Sequence, residues 1–138
     1  MYIVNLLETN IYDCQGKLLI CGTCLPVMQK EGFDSLVKKF DRVLFLCLEK
    51  DHINMAITKI CGMLATKKID SLTFASVNKS PHCTQLHYIK KEIVRVMNSD
   101  DLPLIVNLVI QDKQIYKIND EVLSLSKDLV RLSNLVEV

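Results

Sequence analysis

Tryptophan is absent from this sequence, and only four glycines and three prolines occur among its 138 residues. Because glycine is so rare, a long flexible linker is not expected, and no internal repeat divides the chain. A length of 138 residues is enough to bury a hydrophobic core without disulfide staples. We therefore predict that residues 1–138 form a single domain.

The sequence also lacks an excess of one charge and lacks long apolar runs. Its 17 basic and 16 acidic residues are mixed along the chain, so nothing predicts a nucleic-acid groove. Its uninterrupted apolar runs fall far short of the roughly 20 residues that span a bilayer, so no membrane insertion is expected. The first residues have no early basic charge, which is not typical of a signal peptide. We expect a cytoplasmic protein.

Cysteine, in contrast, is abundant for a chain of this length. In a cytoplasmic protein, these side chains are expected to be thiols, thiolates or metal ligands rather than disulfides. No GxGxxG or GxxxxGK[ST] motif follows a predicted strand, so dinucleotide and P-loop sites lack support. The six cysteines are Cys14, Cys21, Cys24, Cys47, Cys61 and Cys83.

Short apolar runs alternate with segments of helical period, which predicts an α/β fold. Strands are predicted at 17–21, 42–48 and 71–77, and helices at 33–40, 53–64 and 81–97. Residues 102–118 read as a hairpin at a sheet edge, followed by a final helix from about Asn119. We predict a three-layer Rossmann/flavodoxin-like domain, with a mostly parallel sheet flanked by helices and a C-terminal edge hairpin. The apolar edge of that hairpin could pair with a second copy, as in a homodimer.

Four cysteines follow or end predicted strands of this sheet. Cys21 and Cys24 end the first strand, Cys47 ends the second, and Cys83 follows the third. Because parallel strands share one carboxyl edge, we expect these four thiols to converge there. The Cys-Gly-Thr-Cys spacing can hold a metal or cluster, can let one thiol attack a disulfide, or can serve packing alone.

Cys83 has an argument of its own. Ser80 and Pro81 are a strong helix start, so Cys83 lies in the first helical turn, where the helix dipole favours a thiolate. His87 follows one turn later on the same face and could join a metal site or act as a base near the thiolate. Alternatively, His87 is a partly buried helix residue bonded to a nearby carbonyl. Cys24, Cys83 and His87 are thus the candidate catalytic residues.

The order CxxC, single cysteine, then cysteine with a nearby His-Tyr pair resembles the iron–sulfur (delta) subunit of methyl-viologen-reducing hydrogenases. The residues that carry this resemblance lie within 17–95, although the family has two cysteines in the third loop and this chain has one. The resemblance implies an iron–sulfur cluster and a protein redox partner or larger oxidoreductase complex. The segment LLICGTCL also resembles a strand-to-loop segment of DsrE-like sulfur-relay proteins, in which a cysteine carries sulfur.

These observations favour an accessory electron-transfer module. Its iron–sulfur cluster would be held by Cys21, Cys24, Cys47 and Cys83, with His87 as a further candidate metal ligand. Zinc is the alternative occupant of the same ligands. A second function class is a thiol or sulfur-transfer enzyme in which Cys24 or Cys83 is the nucleophile. A third is a small interaction subunit whose cysteines are merely buried.

Overall fold

Strands and helices alternate through most of the chain in a computed structural model, which describes residues 3–136. The strands are β1 (Gly16–Gly22), β2 (Arg42–Leu46), β3 (Ile69–Val77), β4 (Leu104–Gln111) and β5 (Gln114–Ile118). The helices are α1 (Leu25–Met28), α2 (Lys30–Val37), α3 (Ile53–Ala65), α4 (Pro81–Val96), α5 (Asp120–Lys127) and α6 (Leu129–Leu135). Within residues 3–136, no helix is both long and apolar enough to cross a membrane.

The five strands form one sheet in the order β2-β1-β3-β4-β5. Strands β1 to β4 are parallel, and β5 returns antiparallel to β4 at one edge. The turn between β4 and β5 uses Asp112 and Lys113, both at positive φ, which is the geometry that a tight two-residue hairpin requires. The α/β class and the C-terminal edge hairpin are thereby confirmed.

Successive residues of each central strand face opposite sides of the sheet, and both sides are buried. Leu18 and Ile20 of β1 pack with α3 and α4 on one face, as do the facing residues of β3. Leu19 and Cys21 pack on the other face, against α2 and its Phe33. The sheet therefore lies between two helical layers, as predicted.

Helix α4 begins where the sequence predicted it. The Ser80 hydroxyl accepts a hydrogen bond from the Cys83 backbone N–H at 3.4 Å, and Pro81 occupies the first helical position. Proline loses nothing there because its missing N–H would have no partner inside the helix. This start places Cys83 in the first turn, directly after the carboxyl end of β3.

The predicted final helix is divided in two at Asp128. The Asp128 backbone leaves the helical region, and its carboxylate accepts a hydrogen bond from the Arg131 N–H at 3.1 Å. Asp128 thus caps α6, because an aspartate side chain can replace a backbone partner at a helix start. Only Leu123 of this segment is buried in α5, and α6 buries no residue, so packing does not force the two pieces into one helix.

No strand precedes β1 in the part of the chain that the structure describes. Short 3-10 turns at Leu6–Glu8 and Ile11–Asp13 lie there instead, capped by the side chains of Asn5 and Asn10. A single parallel bridge between Asn5 and Phe45 is the sheet contact of this segment. Asparagine side chains compete for backbone N–H groups, which favours turns over an extended strand.

Candidate functional site

The carboxyl ends of β1 and β3 lie side by side at the centre of the sheet, and there the chain leaves in opposite directions. From β1 it continues through α1 and α2 on one face to β2, and from β3 it continues through α4 on the other face to β4. Such a switch point leaves a crevice at the carboxyl edge of a parallel sheet, which is the usual position of a site in this fold.

A small cavity of about 30 Å³ lies in that crevice and is lined by three thiols. Cys24 comes from the loop after β1, Cys47 directly follows β2, and Cys83 comes from the first turn of α4. Three segments that are distant in sequence thus bring their cysteines to one pocket, which we call the thiol pocket. The other residues that line it are Gly22, Thr23, Leu46, Leu48, Glu49, Ser80, His82 and Leu86.

Cys24 is the exposed member of the thiol pocket, and its pKa is raised above the ordinary thiol value. Partial burial is the largest cause, followed by repulsion from Cys83, Cys47 and Glu49, and by the nearby Cys83 side chain. Like charges close together cannot all ionise easily. Burial and the neighbouring thiols thus both keep Cys24 protonated to higher pH than a free thiol.

Cys83 lies deeper in the thiol pocket than Cys24, with 9% of its surface exposed. A Cβ atom at Gly22 would lie 3.4 Å from the Cys83 sulfur, so the absence of a side chain at Gly22 gives this thiol room beside β1. The pocket thus combines a reachable thiol with a sheltered one. This arrangement suits chemistry in which an outer sulfur reacts first and an inner sulfur second.

Two charged side chains frame the thiol pocket. Glu49 follows Cys47, and its Oε2 lies 3.9 Å from Nδ1 of His82, the neighbour of Cys83. Because β2 and β3 lie on either side of β1, this pair crosses the end of β1 beside Cys24. Both side chains are well exposed, so the pair is a weak electrostatic contact rather than a fixed one.

Cys21, the first cysteine of the CxxC pair, does not reach the thiol pocket. It is fully buried on the α2 face of β1, and burial raises its pKa far above the ordinary range. The alternation of side chains along a strand explains this placement, because Cys21 still belongs to β1 whereas Cys24 lies in the loop beyond it. The structure thus brings together three of the four predicted cysteines and leaves Cys21 in the core.

His87 also lies outside the thiol pocket, in a buried polar network between α4 and the sheet. Its Nδ1 lies 2.9 Å from the Asn107 Oδ1, and its Nε2 lies 2.7 Å from the Ser76 hydroxyl. The Asn107 amide also donates to the His87 backbone carbonyl at 3.3 Å. Both ring nitrogens are therefore engaged, which matches the alternative that His87 is a satisfied core histidine rather than a ligand or base.

The hydrogen bonds assign the protonation of this network. Since the Asn107 amide nitrogen donates to a carbonyl, its Oδ1 must accept from Nδ1–H of His87. In the neutral ring, Nε2 accepts from the Ser76 hydroxyl, whose oxygen also lies 3.1 Å from the Val77 carbonyl oxygen. Burial lowers the pKa of His87, while the bond to Asn107 opposes that shift. His87 is a neutral imidazole in this arrangement.

The remaining two cysteines lie apart from the thiol pocket. Cys14 is fully buried and precedes β1, near Arg42 at the start of β2. It therefore lies toward the amino edge of the sheet. Cys61 is half-buried in α3 and packs against the core.

The thiol pocket has donors that suit soft metals, but they are not arranged as a ligand set. Within residues 3–136, no group of three or more His, Cys, Asp or Glu side chains lies in a geometry that holds a metal ion. The four-cysteine set of an iron–sulfur or zinc site would in addition require Cys21, which is fully buried in the core and does not line the pocket. The residues as placed do not fit that four-ligand centre.

Sequence reasoning missed Ser76, Asn107 and Glu49. Asn107 gave a usable signal, because it is a polar residue within the apolar run LIVNLVI, and a buried amide needs a partner. Ser76 and Glu49 gave none, because their roles depend on which strands are neighbours in the sheet.

Comparison with known families agrees with the fold. A family model described as a Rossmann-like domain matches residues 14–135, which is most of the chain. No curated protein and no solved structure matches the chain significantly.

Proposed function

Since the chain belongs to the Rossmann-like domain family, we propose that it is a cysteine-based redox module acting at the carboxyl edge of its sheet. The observation that carries this proposal is that an exposed thiol, Cys24, and a sheltered thiol, Cys83, come from different segments and line the same small pocket. Two neighbouring thiols of unequal access are the elements of a reversible dithiol–disulfide couple.

The proposed reaction passes two electrons to a disulfide of a partner protein or small molecule. The Cys24 thiolate attacks one partner sulfur, which forms a mixed disulfide and releases the other partner sulfur as a thiolate. The Cys83 thiolate then attacks the Cys24 sulfur, which forms the Cys24–Cys83 disulfide and releases the second partner sulfur. The protons of Cys24 and Cys83 end on the two partner thiols, so the partner is reduced and this chain is oxidised.

Redox titration of the purified chain tests this proposal. The protein is equilibrated with glutathione buffers of graded potential, alkylated, and analysed by peptide mass spectrometry. We expect one reversible transition, at which Cys24 and Cys83 together stop being alkylated because they have formed a disulfide. The variants Cys24→Ser and Cys83→Ser should each abolish this transition. Cys61→Ser is the matched control, because Cys61 is a half-buried cysteine of α3. It should leave the transition unchanged. A disulfide between other cysteines, or none in oxidised glutathione, contradicts the proposal.

A second candidate is an iron–sulfur or zinc centre held by Cys24, Cys47 and Cys83, which would require these three thiols to move from their present positions into a ligand set. It is favoured by the presence of Cys47 as a third thiol in the same pocket, and by the resemblance to the hydrogenase delta subunit family. An iron–sulfur cluster would supply single-electron transfer, and the thiols would hold it. This centre differs from the predicted one because Cys21 is not among the ligands.

Metal analysis of anaerobically purified protein separates the two candidates. Broad visible absorbance with stoichiometric iron and sulfide, or stoichiometric zinc, supports the metal centre. In that case Cys47→Ser should lose the metal, whereas Cys21→Ala should retain it. Colourless, metal-free protein with the reversible Cys24–Cys83 transition supports the dithiol couple instead.

A further inference from the structure

Helix α4 is held to the sheet by a buried polar network one turn after Cys83. His87 bonds to Ser76 of β3 and to Asn107 of β4, and Asn107 returns a bond to the His87 backbone. His87, Ser76 and Asn107 are each at most 2% exposed. Because water cannot replace these partners, the network fixes where this turn of α4 lies on two neighbouring strands.

This attachment of α4 to the sheet also fixes the position of Cys83. It lies four residues before His87, on the same face of α4, and its sulfur lies beside Gly22 at the end of β1. Its backbone N–H is held only by the capping hydroxyl of Ser80, at the long distance of 3.4 Å. The Thr84 N–H and hydroxyl each donate to the Ser80 carbonyl at 2.9 Å, so the first turn of α4 is tied to its cap residue, while the polar attachment to the sheet is at His87.

Apolar packing alone does not define this position as sharply. Leu86, Ile89 and Ile93 of α4 are buried against the sheet, but apolar contacts are not directional and allow a helix to slide or rotate slightly. Hydrogen bonds from one imidazole to two strands are directional and resist both movements. A disulfide needs a narrow range of Cβ separations, so a small displacement of Cys83 matters.

We infer that Ser76, His87 and Asn107 are positioning residues that hold Cys83 within reach of Cys24, and that they set the stability of the disulfide between them. This inference rests on the proposed dithiol function. It assigns to a buried polar network a role that is separate from folding stability. In this role the three side chains act through the position of α4.

Asn107→Ala tests the inference, because it removes both bonds of the amide and leaves the thiols unchanged. We expect the equilibrium constant for the Cys24–Cys83 disulfide against glutathione to fall at least about fivefold, since a displacement near 1 Å can cost far more in oriented chemistry. Ser76→Ala should give a smaller fall, and Ser76→Thr, which keeps the hydroxyl, should restore part of it.

Ile93→Ala is the matched control, because it weakens the packing of the same helix without touching the network. Urea unfolding of each variant measures its loss of stability. If Ile93→Ala lowers the disulfide constant as much as Asn107→Ala at equal loss of stability, the positioning role is refuted. A fall confined to the network variants supports it.

A second measurement separates this inference from the proposed function. In the reduced protein, native-state alkylation of Cys83 should be faster in Asn107→Ala than in Ile93→Ala, whether or not a disulfide ever forms. If the wild-type chain forms no Cys24–Cys83 disulfide but shows this difference, the redox proposal fails and the positioning of Cys83 stands. If the alkylation rates do not differ, the positioning role fails.

Discussion

The thiol pocket and the polar network beside it each contain a histidine of α4, but the two histidines are in opposite environments. In the thiol pocket, Cys24 is open to solvent and Glu49 and His82 make a loose, exposed pair. In the network, His87 has both ring nitrogens bonded to buried partners. Residue type therefore does not decide which side chain is available for chemistry. Position at the end of a strand or inside the sheet decided it.

Substitution of the two histidines of α4 should break this comparison most strongly. His87→Leu leaves the Asn107 and Ser76 side chains buried without their partner, and we expect it to lower the free energy of unfolding by about 2–4 kcal/mol. His82→Leu, in the exposed first turn of the same helix, should change it by less than about 0.5 kcal/mol. Urea unfolding followed by circular dichroism measures both. Equal losses would contradict the assigned roles.

Substitution of the two cysteines of the CGTC segment should also lower the free energy of unfolding unequally, but with a smaller difference than for the two histidines. Cys21→Ser places a hydroxyl in the apolar core against α2, and we expect a loss of about 1–3 kcal/mol in the free energy of unfolding. Cys24→Ser is exposed and should cost no more than about 0.5 kcal/mol. Chemical denaturation under reducing conditions gives both values. A larger loss in Cys24→Ser would show that the pair has been assigned the wrong way round.

The smallest expected effect is a dependence of stability on pH that comes from the network. Burial lowers the pKa of His87 in the folded chain below the value of about 6.5 for an unperturbed histidine. The unfolded chain therefore binds a proton first as the pH falls, so folding stability declines below about pH 6.5 until the folded pKa is passed. The decline should be absent in His87→Gln. Urea unfolding at pH 8, 7, 6 and 5 measures it, and identical pH profiles for the two proteins would contradict it.

Much of the fold could be predicted from the residues because the signals were local. The apolar run at 42–48 and the Ser80-Pro81 start each specify an element without reference to the rest of the chain. The break at Asp128 was missed because the apolar stripe of residues 122–136 continues through it. That stripe remains largely solvent-exposed in the structure, so periodicity there did not report packing.

The candidate site was predicted less completely, and the misplaced residues have a common cause. Cys24, Cys47 and Cys83 could be placed at one edge because they follow parallel strands. Cys21 shares a CxxC motif with Cys24, which suggested that both thiols reach the same site. Cys21 is still part of β1, however, so the alternation of side chains along the strand fixes which face it presents, whereas Cys24 lies in the loop beyond the strand. His87 was considered for chemistry because it follows Cys83 by one turn. Its true partners, Ser76 and Asn107, become visible only when β3 and β4 are paired.

The sequence by itself determined the alternation of strands and helices, the hairpin at the sheet edge, and a cysteine after each of the first three strands. These depend on hydrophobic period, caps and turns, which act over a few residues. The tertiary structure decided that Cys24 meets Cys83 and Cys47, that Cys21 is buried, and that His87 is enclosed. These depend on which strands are neighbours and which face each residue presents, because a thiol or an imidazole takes its chemistry from the groups packed around it.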